Sequence, residues 1–179
     1  MTPVRRQTMT RLALITILFF VLGMGVTAHA IHETTPAETQ LTLPGTDAAK
    51  LYEYITKSKP YTVWDLWPGK KKMYSGTQPH GAFLTTYVND TGMFGIRGKT
   101  GTMPEGTIIV KENYDMDKKY NALSVMYKVK GYNPAAADWF WAKYDKDGKV
   151  LAAGRAEACI KCHEKKKDND FIFTGELKK

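Results

Sequence analysis

The chain holds two cysteines, Cys159 and Cys162, and His163 follows the second at once. The run Cys159-Ile160-Lys161-Cys162-His163 is C-x-x-C-H, the attachment signature of c-type haem. Two thiols at this spacing can add to the two vinyl groups of one porphyrin. The adjoining imidazole can then bind the iron from one face. Other uses of paired thiols fit less well. A thioredoxin-like C-x-x-C belongs near the start of a βαβ pattern, and this one lies near the C-terminus. A structural zinc site needs four ligands. There is no second cysteine pair, and His29, His32 and His80 do not form an H-x₃₋₅-H spacing. One covalently bound haem c is therefore expected, with Cys159 and Cys162 as its thioether residues and His163 as the axial iron ligand.

A haem held by one histidine leaves its other face to the rest of the chain. An open face admits small ligands such as NO, CO or O₂, whereas a second strong ligand suits electron transfer. Met126 and Phe83 are candidates for the distal pocket. A methionine in a domain of this size is more often core filler. His80 is a second suspect for the iron, and between Pro79 and Gly81 its blander reading is a loop residue. Lys111 ends the apolar run Ile108-Ile109-Val110, and on an alternating strand it shares a face with Ile109. Its bland reading is an ammonium snorkelling to water, and its chemical reading is a desolvated amine at the haem edge.

The N-terminus gives the expected compartment. Arg5, Arg6 and Arg11 precede the apolar stretch Leu12 to Val26, and Ala28-His29-Ala30 is an A-x-A site. This is the pattern of a cleaved secretory signal peptide, and the stretch is short against the roughly 20 apolar residues of a bilayer span. Residues 1–30 are read as signal peptide, 31–46 as a flexible leader and 47–179 as one haem domain. The location expected is periplasmic, where both thiols would be consumed by haem.

Beyond residue 30 the chain holds 23 basic and 18 acidic residues, a net charge of +5. The dense runs, Lys70-Lys71-Lys72 and Lys165-Lys166-Lys167, read as a solvated loop and tail. Their functional alternative is a docking face for an acidic redox partner. No nucleic-acid module is legible.

The elements that position these residues are short. Asp47 caps a helix expected to run to about Lys57. Tyr61 to Trp67 is either a helical turn or a strand. From Gly81 the period becomes two, giving strands at 82–89, 107–112, 121–130 and 138–144 and a return strand from Lys149. The glycines and proline of 92–106 predict a loop with a fragment of strand. Arg155 to His163 suits a helix carrying the haem motif. The fold expected is α+β, a mainly antiparallel sheet with short helices packing a single c-type haem.

In this order, P-H-G-A-F-L-T-T-Y-V-N (79–89), P-E-G-T-I-I-V-K-E (104–112), D-W-F-W-A-K-Y (138–144), C-I-K-C-H (159–163) and N-D-F-I-F-T (169–174) resemble the cytochrome P-460 family, in particular its cytochrome c′-beta-like members. The resemblance implies an exported bacterial protein with one late haem site. The family includes enzymes that oxidise hydroxylamine and a gas-binding branch with a hydrophobic distal pocket. Lys111 falls where the enzymes carry a lysine joined to the haem macrocycle. Their distal carboxylate, a proton acceptor, falls near Met126, and residues 121–130 contain no Asp or Glu. Oxidising hydroxylamine removes protons as well as electrons, and a positioned base accelerates that step. The expectation is thus a haem protein with an open distal face that binds NO or another diatomic ligand. The alternatives are a hydroxylamine or NO oxidoreductase with a Lys111–haem link, and an electron carrier with Met126 or His80 on the iron. A periplasmic redox partner and a homodimer are expected partners.

Overall fold

The computed structural model describes residues 42–178. The expected signal peptide and most of the leader lie outside them. The elements run α1 (Ala48–Glu53), β1 (Asp65–Leu66), β2 (Tyr74–Ser75), β3 (Phe83–Val88), α2 (Asp90–Gly98), β4 (Ile108–Tyr114), β5 (Tyr120–Lys128), β6 (Trp139–Asp145), β7 (Val150–Gly154) and α3 (Glu157–His163). A π-helical turn, Tyr54–Ser58, extends α1, and a 3-10 turn, Tyr61–Val63, precedes β1. The strands form one antiparallel sheet in the order β1-β3-β4-β5-β6-β7, with β2 also paired to β3.

Strand alternation divides the core into two layers. Ile108, Val110, Leu123, Val125, Tyr127, Phe140, Ala142 and Tyr144 pack on one face with Leu51 and Ile55 of the N-terminal helical segment. Ile109, Trp139 and Trp141 point to the other face and meet Met93, Ile96, Phe171, Ile172 and Leu177, with Cys159 and Ile160 packed at the margin. Burying one large apolar side chain contributes roughly 1.5–3 kcal/mol, so Ile108 and Trp139, both fully covered, anchor opposite sides of the same sheet.

Asp47 caps α1 as expected, its carboxylate accepting from Lys50 N at 2.9 Å. Tyr144 Oη donates to the Ala48 carbonyl at 2.7 Å and ties that helix to β6.

The expected loop over 92–106 is corrected: its first part is helical. Asn89 Oδ1 accepts from Gly92 N and from Ile108 N, both at 3.0 Å, while its Nδ2 donates to Gly106 O at 2.8 Å. One side chain thus caps α2 and fixes the entry into β4. Gly92 and Gly95 within the helix serve close packing rather than a turn. A Cβ on Gly92 would stand 2.5 Å from Val88 Cγ1, and one on Gly95 2.6 Å from Pro104 Cδ.

Candidate haem site

Helix α3 ends on the sequence Cys159–His163 and lies against the face of the sheet that carries Ile109 and Trp141. Between helix and sheet is a cavity of about 240 Å³ that opens to solvent. Ile109 and Lys111 of β4, Ser124 and Met126 of β5, Trp141 and Lys143 of β6, and Cys159, Cys162 and His163 of α3 all line it. A second, adjoining cavity of about 200 Å³ shares His80, Lys111, Cys162 and His163 and extends to Tyr74, Leu84 and Lys70.

The sheet register places the wall residues. Thr86 stands opposite Lys111, Lys111 opposite Ser124, and Ser124 opposite Lys143. Met126 stands opposite both Ile109 and Trp141. These positions share one face because each is an even number of residues from the next along its strand.

His163 is buried, and its Nδ1 donates to the Phe171 carbonyl at 2.7 Å. That bond assigns the proton to Nδ1 and leaves the lone pair on Nε2, the form of imidazole that binds a metal. Trp141 packs against the ring at 4.7 Å between centroids and Phe173 at 5.2 Å, at interplanar angles of 66° and 88°. Burial depresses the pKa of His163, the Phe171 hydrogen bond opposes this, and the Lys111 charge adds to the depression. Burial pushes the Cys159 thiol up, and Lys143 pulls it partly back.

The Phe171 carbonyl is itself held in place. Asp170 and Phe171 both adopt left-handed backbone, φ 54 and 64, which costs on the order of 1–3 kcal/mol per non-glycine residue. Asp170 Oδ1 pairs with Lys128 Nζ at 2.6 Å, and its Oδ2 accepts from Met103 N at 2.7 Å. Trp139 Nε1 donates to the Asp170 carbonyl at 2.9 Å. Burial raises the Asp170 pKa against the opposing pull of Lys128.

Of the residues singled out in the sequence, Lys111, Met126, Cys159, Cys162 and His163 come together at the main cavity. Phe83 does not join them. It lies on the opposite side of β3 from Leu84, with the Lys118 ammonium 5.3 Å from its ring, and Leu84 faces the adjoining cavity in its place. His80, read as a loop residue, lines both cavities. Sequence reasoning passed over Ser124, Trp141 and Phe173. Trp141 could have been found by carrying the period of two from Met126 across to the aromatic run of β6.

Lys111 is partly buried, and burial together with the Lys70 charge lowers its pKa to about 8. His80 falls to about 3, first through burial and then through the charges of Lys111, His163 and Lys143. Among the described residues no Asp or Glu lines either cavity. Glu112, next to Lys111, points the other way and accepts from Tyr61 and Tyr114 at 3.0 and 2.7 Å.

A largely apolar cleft between sheet and helix, with two thiols and an oriented imidazole on one wall, defines a candidate cofactor site. A family model described as Cytochrome P460 matches residues 66–174. The chain belongs to the cytochrome P460 family and is thereby a cytochrome, with haem as its implied cofactor. No curated protein matches the chain.

The residues present fit that cofactor. The wall is largely apolar, as a macrocycle requires, the thiols are unpaired with any other cysteine, and the Phe171 bond leaves Nε2 of His163 free to hold a metal. Trp141, whose Nε1 is buried without a hydrogen-bond partner among the described residues, stands in the same wall.

Proposed function

We propose that the protein is an exported monohaem c-type cytochrome whose distal haem face takes up small nitrogen-oxide or other diatomic ligands, NO foremost. Cys159 and Cys162 hold the macrocycle through thioethers, and His163 holds the iron through Nε2. When bound, the haem supplies an iron centre that can take a small axial ligand or exchange an electron.

The observation that carries this reading is the lining of the cavity. Ile109, Met126, Trp141, Ile172 and Phe173 give it a largely apolar wall, and among the described residues no carboxylate reaches in to accept a proton. A diatomic molecule without charge needs little polar recognition, so an apolar wall suffices.

The hydroxylamine or NO oxidoreductase reading has one observation in its favour. Lys111 stands in the cavity wall with an amine that is close to half neutral at about pH 8, the form required for attachment to the macrocycle. The lack of a carboxylate base in the described lining weighs against proton-coupled oxidation.

Absorption spectra of the purified ferrous protein with NO and with CO test the proposal. Shifted Soret bands at stoichiometric NO support it, and a ferrous spectrum that responds to neither gas refutes it. An unmodified haem c spectrum, unchanged in Lys111→Ala, would set aside the cross-linked enzyme.

A further inference from the structure

We propose that His80 is a second axial ligand of the haem iron, resting on the distal position until an incoming small ligand displaces it. The inference rests on the haem reading above and adds a regulatory device to the same site.

The two imidazoles are spaced for one ion. The ring centroids of His80 and His163 are 6.1 Å apart, and the rings are crossed at 87°. An imidazole nitrogen binds a transition metal at about 2.0–2.1 Å, and the ring centre lies about 1.1 Å further on, so two imidazoles across one ion stand roughly 6.3 Å apart.

Both rings are also oriented through the same nitrogen. His163 Nδ1 is bonded to the Phe171 carbonyl, and His80 Nδ1 meets Ser124 Oγ at 3.3 Å. Ser124 Oγ accepts from Asn113 Nδ2 at 2.8 Å. Each ring thus has its Nδ1 engaged by a hydrogen-bonding group and its Nε2 on the other edge, the arrangement by which outer hydrogen bonds orient a ligating histidine. Ring packing alone would account for the contact but not for this shared orientation.

The backbone brings His80 there by a close approach. Gly81 has φ 125, and a Cβ on it would stand 2.5 Å from the Tyr114 carbonyl oxygen, so only glycine lets the chain press against β4 at this point. The segment from Ser75 to His80 lines the adjoining cavity. It is held by a two-residue strand, β2, so an outward movement of His80 disturbs few ladder bonds. The iron would then be coordinated from both faces at rest, and the distal face would open only when His80 leaves.

The test uses the haem-loaded protein, His80→Ala and, as a second variant that retains a polar side chain, His80→Gln. Wild type is expected to give low-spin ferric and ferrous spectra, with the paramagnetic-resonance signature of two imidazoles. Both variants should turn high-spin, and free imidazole should restore the low-spin spectrum. In stopped-flow mixing with CO, the wild-type rate should level off with concentration, at the rate His80 dissociates. The variants should bind CO in proportion to its concentration and more tightly by on the order of tenfold or more, as the occupied fraction of the site is released. A high-spin wild type, or variants that stay low-spin, would overturn the assignment of His80. If the spin states change as expected and CO and NO still fail to bind any form, the ligand-binding function falls while His80 stands.

Discussion

His163 Nδ1 donates to the carbonyl of Phe171 at 2.7 Å, and Phe171 occupies a left-handed backbone position that it would not hold alone. The orientation of the proximal imidazole therefore depends on the segment that follows it. That segment is tied to the sheet by Asp170, through Lys128, Met103 and Trp139.

Breaking this tie should be costly. Asp170 and Lys128 have side chains only 2% and 12% exposed. Removing one partner of a buried pair leaves an uncompensated charge, at about 3–5 kcal/mol. Asp170→Ala should lose stability in that range by urea unfolding. Its haem spectrum should also change as the Phe171 carbonyl moves. A loss under about 1 kcal/mol would show that the pair contributes little.

Covalent attachment should govern folding. The haem cavity is walled by side chains from four strands and α3, and an unfilled apolar cleft loses the burial that holds its walls together. The double variant Cys159→Ala, Cys162→Ala should be colourless after denaturing extraction and should melt at a lower temperature, with a weakened far-ultraviolet dichroism spectrum. A native spectrum and an unchanged melting curve would contradict this.

Lys111 gives a pH dependence with a definite sign. Its pKa is about 8 in the folded protein against an ordinary 10.5. Below pH 8 the amine is charged both folded and unfolded, and the folded state bears the full cost of burying it. Stability should therefore rise as pH climbs from 8 towards 10.5, and Lys111→Met should abolish that rise. Pulse acetylation of the folded protein should locate the Lys111 midpoint near 8. A midpoint in the ordinary lysine range would overturn the argument. Complete resistance to the reagent, with an altered haem spectrum, would instead mark a Lys111–haem bond.

Gly92 and Gly95 of α2 should not tolerate a side chain. Gly92→Ala places a methyl 2.5 Å from Val88 Cγ1 and 2.8 Å from Thr107 Cγ2. Overpacking of this kind costs about 1–3 kcal/mol, outweighing alanine's better helix propensity of up to about 1 kcal/mol. Thermal unfolding that shows a gain in stability would indicate that α2 shifts freely.

The amino-acid sequence alone named the candidate anchoring residues and determined the type of most elements. C-x-x-C-H needs no fold to be read, because two thiols and an imidazole at fixed spacing suit one group. The period of two marked β3 to β6, because side chains on a pleated strand must alternate between layers. Composition misled at α2, where glycines read as a loop were small residues at helix contacts. Only the tertiary structure decided which face of each strand met the cavity. Strand pairing turned Leu84 towards it and Phe83 away, since a one-residue change of phase inverts the whole face. The sequence offered His80 as an iron ligand, but its spacing from His163 was likewise decided by the tertiary structure. It arises from the crossing of a loop before β3 with the end of α3, and no local pattern encodes a distance between segments that the sheet alone brings together.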